Sequence, residues 1–151
     1  MTKAPDGDVL PAVLDPRFDQ RRLAVFSDTS PLQIAPPRSL PAPSTLTTST
    51  SNYGPGRATI ALSGPSPAGA ALVVSENYFP GWTATVDSKA LPTYRADYNL
   101  IGVPLPPGAR TIELSFHDSA VDTGTGITLV AMALALLALA GGVVMDRSRL
   151  A

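Results

Sequence analysis

The chain has 151 residues, a formal net charge of −1, no cysteine, and 16 prolines beside 12 glycines. That length allows one domain with a modest core beside a membrane segment, and the scattered charges form no phosphate-tracking stripe, so nucleic acid is not an expected partner. Without cysteine there are neither disulfide staples nor thiolate metal sites, and the proline and glycine content favours short strands joined by turns.

Residues 1–22 read as a lead-in. Val9, Leu10, Val13 and Leu14 recur at helical spacing around Asp8, a capping residue type, and Asp15-Pro16 ends the pattern, so one or two helical turns are expected. Within 23–30, Leu23-Ala-Val-Phe-Ser-Asp28 is the expected first strand. Residues 31–56 carry repeated prolines and the tract Leu46-Thr-Thr-Ser-Thr-Ser51, too polar to offset the entropy of ordering them, and read as a linker or loop.

A denser β region spans 57–118. Ala58, Ile60 and Leu62 alternate with Thr59, Ala61 and Ser63, and a turn over Gly64–Gly69 follows. Ala70–Ser75 is apolar almost throughout, as expected of a strand covered on both faces and central in its sheet. Asn77-Tyr-Phe-Pro-Gly81 turns the chain, with Pro80-Gly81 suited to the middle of a type II turn. Trp82, Ala84 and Val86 then alternate with Thr83, Thr85 and Asp87; Asp87-Ser-Lys89 reverses the chain into Leu91–Arg95, and Asn99–Val103 gives another strand. In the last strand Ile112, Leu114 and Phe116 face away from Thr111, Glu113 and Ser115. Roughly seven such strands make a mainly β fold, a small antiparallel β-sandwich followed by one C-terminal transmembrane α-helix.

Residues 119–126 read as a tether, 127–145 as the span and 146–151 as a tail. Ile127–Met145 holds no charge, and about 19 residues at about 1.5 Å each cover about 28 Å, the thickness of a bilayer's hydrocarbon core. Ala131, Ala135, Ala138 and Gly142 suit close packing against another helix. Arg147 and Arg149 follow the span while Asp118 and Asp122 precede it, which places the C-terminus in the cytoplasm and residues 1–122 outside the cell membrane. The N-terminus has no apolar export segment, so upstream transmembrane helices of the same or a partner protein are expected to carry the β domain across.

No catalytic residue, cofactor or metal site is expected. Asp87 sits in a hairpin, where a carboxylate bonds backbone N–H groups, and Glu76 and Asp97 lie at strand ends rather than forming an acid/base set. His117 neighbours Ser115 and Asp118, but adjacent strand positions face opposite ways and form no relay. Aromatic residues concentrate between Tyr78 and Tyr98. Of these, Tyr78, Trp82, Tyr94 and Tyr98 are the candidate contacts for a glycan or a lipid headgroup, with Trp82 assigned to the core and Tyr78 and Tyr98 to the surface. Arg95 and Asp97, two apart, are expected to form a surface pair.

Ser75-Glu-Asn-Tyr-Phe-Pro-Gly-Trp-Thr-Ala-Thr-Val-Asp87, Tyr94-Arg-Ala-Asp-Tyr98 and Val103-Pro-Leu-Pro-Pro-Gly-Ala-Arg-Thr-Ile-Glu-Leu-Ser-Phe116, with a span close behind, resemble one bacterial family. The chain is similar to the C-terminal extracytoplasmic domain and final span of YfhO-type membrane proteins, and Leu14-Asp-Pro-Arg-Phe-Asp19 resembles the lead-in to that domain. Ser88 replaces the Gly usual in that family's hairpin, which alters turn chemistry only. The resemblance implies a large polytopic protein grouped with GT-C-like glycosyltransferases that use lipid-linked sugars, whose catalytic groups lie upstream. This chain is then its non-catalytic cell-envelope part. The alternative is a stand-alone membrane-anchored module that binds a cell-envelope glycan or protein partner.

Overall fold

The computed structural model describes residues 1–35 and 37–149, with side chains described through Leu137 except that of Ser119. Two compact units divide the chain at His117/Asp118.

Among the described residues the first unit holds ten strands in two five-stranded sheets. The first sheet contains β1 (Thr2–Ala4), β2 (Val25–Ser27), β8 (Tyr94–Ala96), β9 (Leu100–Pro104) and β5 (Ala71–Asn77), in the order β1-β2-β8-β9-β5. The second contains β3 (Thr48–Gly54), β4 (Arg57–Leu62), β10 (Thr111–Phe116), β6 (Trp82–Val86) and β7 (Lys89–Pro92), in the order β3-β4-β10-β6-β7. Only β1 and β2 pair in parallel; the other ladders are antiparallel.

The alternation read from the sequence sets the inner faces. Ile60, Ala84, Val86, Ile112 and Leu114 of the second sheet meet Ile101 and Val103 of the first in one core, with Leu72, Val74 and Trp82 packed against it. Ile101, Val103 and Ile112 are fully buried, and burial of each such side chain contributes about 1.5–3 kcal/mol. A smaller cluster of Ala24, Phe26 and Ala96 gathers Leu32, Ile34, Ala71, Val73 and Tyr94. Gly102 lies against this cluster because a Cβ there would come within 2.6 Å of both Ala96 Cβ and the Phe26 ring.

Several sequence boundaries move. The expected lead-in contains β1 as well as a helix, α1 (Asp6–Leu14), so β2 is the second strand. Pro5 occupies the helix N-cap and Asp8 falls in the first turn, so Asp8 is not the cap. The expected linker 31–56 contains β3, an almost wholly exposed edge strand whose order comes from its ladder with β4. The sandwich therefore draws on the whole first unit rather than on 57–118 alone. β5 lies at a sheet edge, not in its centre; its residues alternate between the two clusters, so both faces are covered although only one neighbour pairs with it.

The second unit is a helix, α2 (Ser119–Arg149). Asp118 Oδ1 accepts the Ala120 N–H at 2.8 Å, an N-terminal cap. The segment expected as a tether, 119–126, is thus the first two turns of this helix. The stretch Ala120–Leu137, with mean hydropathy 1.7 and no buried residue, is long and apolar enough to cross a membrane. Thr125 and Thr128 donate their hydroxyls to the Val121 and Gly124 carbonyls at 2.8 Å each, which satisfies them without water. Residues 150–151 of the expected tail, and the surroundings of Ala138 and Gly142, lie outside what is described.

Candidate functional site

Two of the four candidate aromatic residues come together. Tyr94 opens β8, and its ring meets the fully buried Phe26 edge-on with centroids 6.4 Å apart. Tyr78 follows β5, anchored by its N–H to the Asn99 carbonyl at 2.9 Å and by packing against the main core. Between them opens a cavity of about 390 Å³ lined also by Arg95, Asn99 and the segment Ser27–Pro31. Both tyrosines are half-buried and both line the opening.

The far wall is a small ordered loop. The Ser27 and Thr29 hydroxyls lie 2.6 Å apart, the Thr29 N–H donates to Ser27 Oγ at 3.2 Å, and Lys3 Nζ donates to the Ser30 carbonyl. Asn99 Nδ2 donates to Asn77 Oδ1 at 3.4 Å. Ser27, Thr29, Ser30, Arg95 and Asn99 thus line one cavity with two tyrosines.

Arg95 also lines a second, smaller cavity of about 90 Å³ with Tyr98, Asp6 and Val25. There its guanidinium pairs with Asp6, whose carboxyl is held below its usual range by the Ser27 hydroxyl and by Arg95. Tyr98, 52% exposed, therefore neighbours the cleft through Arg95 rather than lining it. Trp82 is elsewhere: it packs against the core and meets Phe116 at a tilt of 55°, with ring centroids 5.4 Å apart.

Each carboxylate once weighed as an acid or base has a structural partner. Asp87 accepts the N–H groups of Thr111 at 2.9 Å and Arg110 at 3.1 Å, and Glu76 accepts the Tyr53 hydroxyl. Asp97, only 4% exposed, accepts the Val25 N–H at 2.8 Å. Burial pushes its carboxyl above the ordinary range and the Val25 bond opposes that shift. Asp97 is therefore not the surface partner of Arg95. The turn carrying it has positive φ at Asp97 (43°) and Tyr98 (81°), which ends the strand alternation that would place Arg95 and Asp97 on one face.

A larger cavity, about 620 Å³, lies apart from the candidate tyrosines, with Leu62, Leu72 and Leu105 in its lining under the segment Pro41–Leu46. Arg21 and Arg22 pin that segment by donating to the Ser44 and Pro41 carbonyls at 3.0 Å each.

Sequence reasoning missed Arg95, Asn99 and Ser27–Pro31 as cleft residues. Arg95 stood in the Tyr-Arg-Ala-Asp-Tyr motif with its role misassigned; nothing local marks Ser27–Pro31, which reaches the site only through the β2–β8 pairing.

A family model described as "Bacterial membrane protein YfhO" matches residues 50–128. No curated protein and no solved structure matches the chain.

Proposed function

The chain belongs to the YfhO family of bacterial membrane proteins, and from that premise we propose that it supplies the non-catalytic, extracytoplasmic β domain and a membrane span of a protein that transfers sugars from lipid-linked donors, with the Tyr78–Tyr94 cleft contacting the sugar. The observation that carries this reading is the cleft itself: two tyrosines held by core packing, with Arg95, Asn99 and the Ser27–Ser30 hydroxyls around one opening. Sugar rings present apolar C–H faces to aromatic residues and hydroxyls to planar amide and guanidinium groups, and this lining offers both. The partners already held by Glu76, Asp87 and Asp97 support a contact role over hydrolysis. Sugar transfer rests on the family resemblance, and the outward location rests on Arg147 and Arg149 after the span.

The test is saturation-transfer NMR on the full chain in detergent with glucose, galactose, rhamnose and N-acetylglucosamine as probes. At least one sugar is expected to receive magnetisation from the aromatic protons and to lose that signal in Asn99→Ala with the unfolding midpoint retained. No transfer to any probe, or transfer undiminished in Asn99→Ala, would refute the cleft as the contact site.

A further inference from the structure

The end of the sandwich where β10 stops carries aromatic surface that the cleft does not use. Three segments meet there. The Phe116 N–H donates to the Gly56 carbonyl at 2.7 Å and the His117 N–H to the Gly81 carbonyl at 3.1 Å, so the β3–β4 turn and the Phe79–Gly81 turn flank the end of β10. Glycine permits both approaches: a Cβ at Gly81 (φ 119°) would lie 2.5 Å from the His117 carbonyl oxygen, and one at Gly56 (φ 69°) 3.2 Å from Phe116 Cβ. The Trp82 ring meets that of Phe116 at a tilt, and Phe79 is 57% exposed at the tip of its turn. Tyr53, 70% exposed, sits just before the other turn, and Phe116 itself is 37% exposed. Exposed rings gathered at one end of a domain mark a surface that something covers.

The chain itself indicates the cover. Only His117 and Asp118 separate β10 from α2, which contains a stretch long and apolar enough to cross a membrane. Four residue steps from Phe116 to Ala120 reach at most about 14 Å even fully extended, and the seven further helical residues to Ile127, where the uncharged run begins, add about 10 Å, so Phe116 lies within about 25 Å of that run. Amphipathic and aromatic rings next to a span populate the interfacial belt of membrane proteins, where an apolar body meets acyl chains and a polar tip meets headgroups.

We propose that Tyr53, Phe79, Trp82 and Phe116 form a bilayer-contacting surface that seats this end of the β domain in the headgroup region of a phospholipid membrane. Phe79, at the tip of its turn, enters deepest, and the Trp82–Phe116 pair lies at the same end of the domain. The lipid surface is independent of the sugar cleft, and either reading can fail while the other stands.

Trp82 is the sole tryptophan of the chain, which makes it a built-in depth probe. The full chain is reconstituted into phosphatidylcholine–phosphatidylglycerol vesicles whose acyl chains carry bromine at shallow, middle or deep positions. Trp82 emission is expected to fall most with the shallow bromines, and the loss is expected to shrink in Phe79→Ser. Moving the probe to the tip with Trp82→Phe and Phe79→Trp is expected to deepen the quenching, while Trp82→Phe with Lys89→Trp, at the other end of β6, leaves emission unchanged. Equal Trp82 emission in brominated and plain lipid, together with an unquenched tryptophan at 79, would overturn the proposal. So would quenching as strong at 89 as at 79.

Discussion

Gly102→Ala tests the packing that positions the cleft. Gly102 pairs with Tyr94 across β8–β9, and the Phe26 ring lies over it. A Cβ there would stand 2.6 Å from Ala96 Cβ, 2.6 Å from Phe26 Cε1 and 2.9 Å from Phe26 Cζ. Ala96 has no side-chain torsion to turn and Phe26 is fully enclosed, so the strain passes to strand spacing and to Tyr94, which Phe26 meets edge-on. Over-packing of this kind costs about 1–3 kcal/mol, while removing a glycine from the unfolded chain returns about 0.4–1 kcal/mol. The net loss is about 1–2 kcal/mol, or roughly 3–12 °C in Tm for a unit of this size. Near-UV circular dichroism of the full chain in detergent reads it. Phe26→Leu frees room beside the new methyl, so the double variant is expected to be more stable than the sum of the single losses by at least about 0.5 kcal/mol. An unchanged Tm for Gly102→Ala, or strictly additive losses in the double variant, would refute the reasoning.

Other substitutions probe the turns and the buried carboxyl. Asp87→Ala leaves the Arg110 and Thr111 N–H groups without their carboxylate, at a cost of about 1–3 kcal/mol in urea unfolding; Asp87→Asn keeps an acceptor and a residue tolerant of positive φ, so it is expected to lose less. Gly81→Ala combines a φ of 119° with a 2.5 Å approach to the His117 carbonyl and is expected to lower stability by about 2 kcal/mol or more, measured the same way. Asp97→Asn separates a hydrogen bond from a charge. Burial raises the Asp97 carboxyl above its ordinary 3.8, so the folded state holds its proton more tightly than the unfolded chain, and stability falls as pH rises through the raised value. The amide oxygen of Asp97→Asn still accepts the Val25 N–H, so its stability relative to the unsubstituted chain is expected to climb over that rise and to be flat below the ordinary carboxyl value. Unfolding midpoints across pH check this, and a gap independent of pH would contradict it.

The legible parts of the fold were those with one dry face. Ile112 and Leu114 against Glu113 and Ser115 announce β10, and Ala58 and Ile60 announce β4, because burial on one side imposes a period of two. β3 was invisible for the converse reason: almost every residue in Thr48–Gly54 is exposed, so its Ser and Thr residues read as a loop, and only the ladder with β4 makes it a strand. In β5 the apolar run correctly signals two covered faces, Leu72 and Val74 toward one cluster and Ala71 and Val73 toward the other. Coverage of faces does not report how many strands pair alongside, so its edge position could not be read. At the site, Tyr78 and Tyr94 line one cavity with Arg95, Tyr78 being tied to Asn99 after β5 and Tyr94 opening β8, and the aromatic-rich stretch made this half legible. The Arg95–Asp6 pair joins residues far apart in sequence, and no local pattern encodes it.

The side of the membrane on which the β domain lies decides whether it can meet a lipid-linked sugar outside the cell. The chain contains no cysteine, so single cysteines introduced as Lys89→Cys in the sandwich and Ala151→Cys at the C-terminus are clean reporters. Each is labelled in intact source cells, stripped of any outer barrier, with a membrane-impermeant maleimide. An outward domain predicts that the cysteine at 89 reacts in intact cells and the one at 151 only after permeabilisation. Labelling at 151 in intact cells with 89 protected would contradict the account.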